Sequence, residues 1–304
     1  DQFGKSNANL LEKVFSWFYL SINLGAFVST MLTPILLDKF GPSVAFGLPG
    51  GLMLIATWVF WLGRNVFIHI PPGGMSFVKE TLSGEGMKVV GKLSIIYMFV
   101  AIFWALFDQT GSTWVIQADQ LDRHWLGIEW LPSQIQSINP IMILILVPTF
   151  SYIIYPFMGR FFEVTPLRKI SMGLFLAVPS FILVGLVQSW LDAGQVTNIS
   201  WQLIAYAILT ASEVLVSITC LEFSYTQAPN HMKSLIMGFF MLSVSLGNIF
   251  TAAVNAFIQN PDGSSKLAGA SYFYFFAGLM FVTSLLFLLV LKYYTPKTYL
   301  HEEK

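Results

Sequence analysis

Eight apolar runs divide this chain, near residues 12–38, 44–63, 91–117, 132–158, 167–190, 201–226, 232–258 and 270–293. Each is about as long as the ~20 apolar residues a helix needs to cross a bilayer. A segment in lipid must satisfy its own backbone hydrogen bonds, so runs of this length are read as helices. Composition agrees, since only 11% of residues are charged against about 25% in soluble domains. The fold class expected is an all-α polytopic membrane protein with eight transmembrane helices.

The loops test that count. If the first residues lie in the cytoplasm, Lys39, Arg123 and Lys266 are the only basic residues on the outer side, and the other thirteen lysines and arginines fall inside. Positive charge collects on the cytoplasmic side, so this orientation is chosen, with both ends cytoplasmic. A missed or invented helix would scramble the alternation. The longest connection, residues 64–90, holds Pro71-Pro72-Gly73-Gly74 and mixed charge. It divides the chain into two helices before and six after, as in a protein built from two six-helix bundles. The expected organisation is therefore 1–63 as the last two helices of an N-terminal bundle, 64–90 as a cytoplasmic linker, and 91–304 as a C-terminal six-helix bundle. The aromatic, charged segment 118–131 is expected to extend a helix end at the interface.

Other classes recede. Lys+Arg and Asp+Glu both total 16, which implies no nucleic-acid partner. Cys220 is the single cysteine, so no intrachain disulfide forms. His69, His124, His231 and His301 lie in loops or at the end, far apart in sequence, so neither a metal site nor any cofactor is expected. Asp1 follows no methionine or basic leader, and the chain reads as part of something longer.

Polar groups inside the spans carry the chemistry. In the sixth run Tyr206, Thr210, Glu213, Ser217, Cys220 and Ser224 are spaced 4, 3, 4, 3, 4, which puts them on one helix face. Glu213 stands at its midpoint, where a carboxylate costs ~2.5–3.5 kcal/mol to insert and so marks function. Ser16, Tyr19, Asn23 and Thr30 share a face of the first helix. Trp104, Asp108 and Ser112 stack in the third, and Phe240, Ser243, Gly247 and Thr251 in the seventh. Pro140, after Gln136 and Asn139, allows a bend in the fourth. Serines and threonines in such helices often bond their own backbone, and Gly25 and Gly247 are read as packing positions. Glu222 lies within about a turn of the cytoplasmic end, where it is free to meet water or Lys233. No lysine or arginine lies well inside any span. Asp108 and Glu213 must therefore find another cation or take up a proton, which suits a proton-coupled carrier.

At this point a family resemblance becomes specific. FSWFYLSINLGAF (Phe15 to Phe27), FWALFDQTGSTW (Phe103 to Trp114), QSINP (Gln136 to Pro140), EFSYTQAP (Glu222 to Pro229) and MGFFMLSVSLGN (Met237 to Asn248) occur in order. Together they resemble the proton-dependent oligopeptide transporter family of the major facilitator superfamily. The resemblance implies a major facilitator fold in which the eight spans are family helices five to twelve. It implies that Tyr19 and Asn23 line the peptide site and that Trp104 forms a pocket wall. Asp108 would belong to the extracellular gate, pairing across to the other bundle. Asn139 and Glu213 would hold the peptide ammonium. Phe239 and Ser243 would shape a side-chain pocket, with Phe239 standing where many relatives carry Trp. Asp108, Glu213 and Glu222 are the candidates for gating or proton coupling. The family's first-helix Glu-x-x-Glu-Arg-Phe motif and its fourth-helix lysine are absent from the sequence, so four further N-terminal helices are expected to complete the site.

The expected activity is proton-coupled symport of di- and tripeptides by alternating access, with the proton as coupling ion and the lipid bilayer as environment. A bacterial inner (plasma) membrane is the expected location. Three rivals stand beside it. A same-fold carrier of nitrate or another small solute is opposed by Glu213, since a buried carboxylate repels an anion. An intramembrane enzyme lacks a nucleophile with its base, or an aspartate dyad, within the spans. A truncated fragment that does not transport is the third.

Overall fold

The computed structural model describes residues 11–67, 81–229, 232–262 and 264–296, with Gly74 and Lys79, and gives side chains from Ser21 onward. Eight helical spans are long and apolar enough to cross a membrane among these residues. We label them α1 (Leu11–Phe40), α2 (Pro42–Asn65), α3 (Gly84–Gln120), α4 (Pro132–Met158), α5 (Pro166–Asp192), α6 (Ser200–Gln227), α7 (Lys233–Ile258) and α8 (Ala270–Tyr293). They coincide with the eight apolar runs. The largest shift is at α3, which starts at Gly84 rather than at residue 91 and so shortens the 64–90 connection. Local chemistry explains it, because Ser83 Oγ caps the helix by accepting from the Gly86 N–H at 3.1 Å. Hydropathy does not register a cap.

α5 is the central post. It packs along α8 and α6, while α3 packs along α7. Trp114, Phe103, Phe181, Phe240, Phe276 and Phe287 fill the shared core among these helices. Two glycines set the spacing. A Cβ on Gly173 of α5 would stand 2.9 Å from Leu215 Cβ and 3.0 Å from the Ser212 carbonyl of α6. A Cβ on Gly247 of α7 would strike the Ala101 carbonyl of α3 and stand 2.8 Å from the Ala105 nitrogen. Gly25, read as a packing glycine, faces open space instead. α4 joins the rest through a second small core, in which Ile143 and Phe150 meet Val214 and Leu215 of α6. α1 packs on α2 and α4, and Gln134 Nε2 donates to the Met31 carbonyl at 3.1 Å.

Three spans are broken, and none of the breaks follows from hydropathy. α3 tightens into a 3-10 turn at Asp108–Gly111, and Ser112 has φ −134° and ψ −89°. The expected stack of Trp104, Asp108 and Ser112 therefore ends at Asp108. α4 opens with a 3-10 turn over Pro132–Ser137 and widens into a π turn at Phe150–Ile154, between Pro148 and Pro156. Pro140 sits in the first turn of the α-helical part, where a missing N–H costs little, so the departures from α geometry lie in the flanking segments rather than at Pro140. α6 widens at Val214–Ile218, directly after Glu213.

Segment 118–131 is also corrected. The helix stops at Gln120, and the chain turns through the two-residue strands β1 (His124–Trp125) and β2 (Ile128–Glu129) at Leu126 and Gly127, both with positive φ. Asp122 anchors this hairpin, accepting from the His124 N–H at 3.1 Å and from Asn198 Nδ2 at 3.0 Å.

Candidate functional site

The polar stripe of α6 faces two helices. Tyr206 donates its hydroxyl to the Thr110 carbonyl, at the break in α3, at 3.1 Å. Below it, Asn139 of α4 donates through Nδ2 to Glu213 Oε2 at 2.7 Å and to Thr210 Oγ1 at 3.1 Å. Further down, Ser224 accepts from the Tyr97 hydroxyl of α3 at 2.8 Å. Cys220 is buried there as a free thiol. The upper end of the stripe, at Tyr206, borders open space.

That space is a cavity of about 300 Å³ between α1, α3, α4 and α6. Asp108, Gln136, Asn139 and Tyr206 supply its polar wall, and Ala26 and Thr30 of α1 close another side. Volumes of this order suit small solutes. Glu213 stands behind Asn139. Asp108 thus borders the cavity directly and Glu213 reaches it only through Asn139, and no lysine or arginine lines it among the described residues.

The other expected site residues divide. Asn23 is buried on α1, one turn before Ala26 on the cavity face. The side chain of Tyr19 lies outside the described residues. Trp104 packs against Phe103 and Phe107, with ring centroids 5.4 and 5.5 Å away, and Phe107 rather than Trp104 lines the cavity. Asp108 accepts from Asn248 Nδ2 of α7 at 2.6 Å, a partner in the same group of helices as itself. Ser243 is buried and donates to the Phe240 carbonyl of its own helix at 2.6 Å. Thr251 donates to the Ala105 carbonyl of α3 at 3.1 Å. At Gly247 and Thr251 the α7 stripe is therefore the seam against α3. Phe239 is half-buried against the core. Glu222 is exposed, and Lys233 lies over the Tyr225 ring at 3.9 Å instead of pairing with Glu222. Spacing does not single out Asn248. Its only signal in the sequence is its place beside Gly247.

Comparison with known proteins decides the family. A family model described as the POT family matches residues 1–84 and 75–272. The chain belongs to the POT family. A solved "auto inhibited POT family peptide transporter" is 29% identical with a TM-score of 0.85, covering 99% of this chain and 74% of its own. The POT family transporter PepTSo is 31% identical with a TM-score of 0.85, covering 96% of this chain and 73% of its own. Peptide transporter 3 of Caenorhabditis elegans is 35% identical over 62% of this chain and 33% of its own length. Peptide transporter family 1 of Drosophila melanogaster is 34% identical over 60% and 30%. The chain thus spans about a third of the length of these two relatives. The eight-helix architecture is that of the solved POT transporters, a major facilitator fold, and these relatives are transporters rather than enzymes.

Proposed function

We propose that this POT-family chain serves proton-coupled symport of di- and tripeptides by alternating access. The observation that carries the reading is the Asn139–Glu213 pair behind a cavity that also holds Asp108 and lacks a lining cation among the described residues. A peptide zwitterion brings an ammonium group, which is what a carboxylate in a low-dielectric site needs. Symport moves proton and peptide together, so in this reading Glu213 holds the ammonium while Asp108, the second intramembrane carboxylate, is the group that carries the proton. The membrane potential adds ~2.3 kcal/mol per net charge per 100 mV. The names borne by the relatives support peptides as the substrate class.

In this reading α1 and α2 close a first bundle, the connection between α2 and α3 links, and α3 to α8 belong to the second, with the site between them. The peptide carboxylate needs a cation, which four helices outside this sequence would supply. The bias of basic residues places both ends in the cytoplasm of a plasma-membrane protein. Tyr19 and Asn23 contribute from α1, and Asp108 acts at the gate. Phe239, Ser243 and Trp104 act from behind the cavity, by setting how α3 and α7 meet. Glu222 is placed to act only at the cytoplasmic end.

The test is Glu213→Gln in the full-length protein. Proton-driven uptake of alanylalanine should be abolished with expression intact. Uptake equal to the parent's would remove Glu213 from the mechanism. Competition between alanylalanine and nitrate separates the peptide reading from a small-anion carrier, which Asp108 in the cavity wall and Glu213 behind Asn139 oppose.

A further inference from the structure

A second cavity, of about 370 Å³, lies where three span ends converge, and the transport reading does not use it. The first turns of α3 give Lys88 and Lys92, one helical turn apart, each followed by an apolar lining residue, Val89 and Leu93. The last residue of α6, Gln227, is 5% exposed and puts a buried carboxamide in the wall. Tyr294, just past α8, completes it, with Lys92 Nζ 6.0 Å from its ring centre. Both lysines are exposed, and neither makes an ion pair among the described residues. Glu85 is the one carboxylate in the lining among the described residues, so the lining is net positive. The ends of α6 and α8 turn weak negative dipoles toward this region, but those fade within a turn and are smaller than two full charges.

We propose that this cavity binds the phosphate headgroup of an anionic phospholipid. Lys88 and Lys92 would hold the phosphate, Gln227 and Tyr294 would offer polar contacts to the glycerol region, and the acyl chains would run down the apolar outer faces of α3 and α8. Three features favour a lipid over a soluble ligand. The cavity opens at the ends of membrane spans, on the side richest in lysine and arginine. The neighbouring outer surface is apolar, with Ile95 and Met98 of α3 and Leu286 and Leu289 of α8 all exposed. Basic pockets between spans are a recurrent way of holding anionic headgroups. A bound headgroup would tie the end of α6, the helix of Glu213, to the start of α3, the helix of Asp108. It would therefore bias the relative motion of the two helices that carry the carboxylates.

The experiment uses the full-length protein in detergent and reads the unfolding temperature with added short-chain phosphatidylglycerol, phosphatidylcholine or inorganic phosphate. Phosphatidylglycerol should raise the temperature and phosphatidylcholine should not. Lys88→Gln/Lys92→Gln should unfold at the parent's temperature without lipid. It should need about thirtyfold more phosphatidylglycerol for the same shift, as expected for losing two interfacial charges. Lys292→Gln, at the end of α8 but outside the lining, should respond like the parent. Native mass spectrometry gives a second readout, in which the double variant should retain less phosphatidylglycerol than the parent. An equal phosphatidylglycerol response in parent and double variant overturns the site. Equal stabilisation by inorganic phosphate overturns the lipid assignment.

Discussion

Asn139 donates both to Glu213 Oε2 at 2.7 Å and to Thr210 Oγ1 at 3.1 Å, so one amide on α4 binds two positions on the face of α6. The two contacts are not equal. A hydrogen bond to a charged group is worth about 1.5–3 kcal/mol and one between neutral groups about 0.5–1.5. Asn139→Leu should therefore destabilise the protein by about 1–3 kcal/mol, and Thr210→Val by clearly less. A double-mutant cycle of Asn139→Leu with Glu213→Leu, which removes the acceptor, read by denaturation in detergent, should show coupling of about 0.5–3 kcal/mol. Strict additivity would mean that the contact is not made in the protein.

The two glycines on polar stripes should respond differently to a methyl group. Gly247 abuts the backbone of α3, which cannot move aside as a side chain can. Gly247→Ala should cost about 1–3 kcal/mol by overpacking and lower the unfolding temperature. A Cβ on Gly25 would meet nothing within 4 Å, so Gly25→Ala should leave stability level or slightly raise it, because alanine is the better helix former. Equal effects at the two positions would mean that α3 and α7 are not closely packed.

The spans themselves were legible because lipid imposes a length and a polarity that a sequence shows directly. Asn139 and Glu213 were legible as expensive groups, though only the fold brings them within hydrogen-bonding distance. The breaks at Asp108–Gly111 and Val214–Ile218 were not legible, since an apolar run reads the same through an α, 3-10 or π turn. The stripe of Phe240, Ser243, Gly247 and Thr251 shows the limit of periodicity. Spacing gives a shared face and not what the face meets, and here it meets the backbone of α3.

The outer hairpin carries the pH dependence that the loops allow. Hydrogen bonds from the His124 N–H, then from Asn198 and the His124 ring, hold the Asp122 carboxyl below its ordinary value of 3.8. A depressed carboxylate contributes stability that is present above its unfolded value and is lost as the pH falls through its folded value. The anchor should therefore hold across neutral pH and fail only below the usual carboxylate range. Hydrogen exchange at the His124 amide should accelerate in that acidic window. Asp122→Asn should accelerate it already at pH 7, with the rest of the helical core unchanged. An acid-insensitive His124 amide would contradict the role of Asp122.

Asp108 separates charge from structure most cleanly. It sits where α3 leaves α-helical geometry, and Asn248 Nδ2 donates to its Oδ2 at 2.6 Å. In Asp108→Asn the remaining carbonyl oxygen still accepts that bond, so the junction of α3 with α7 is preserved. The unfolding temperature should stay close to the parent's. What is lost is the ionisable group on the cavity wall. If Asp108 takes part in coupling through its charge, proton-driven uptake should fall while counterflow exchange of peptide, which needs no net proton movement, is retained. Asp108→Ala removes both charge and acceptor, and should also loosen α7. Loss of stability in Asp108→Asn as large as in Asp108→Ala would show that the carboxylate is structural, and the gate would then have to be sought elsewhere on the cavity wall.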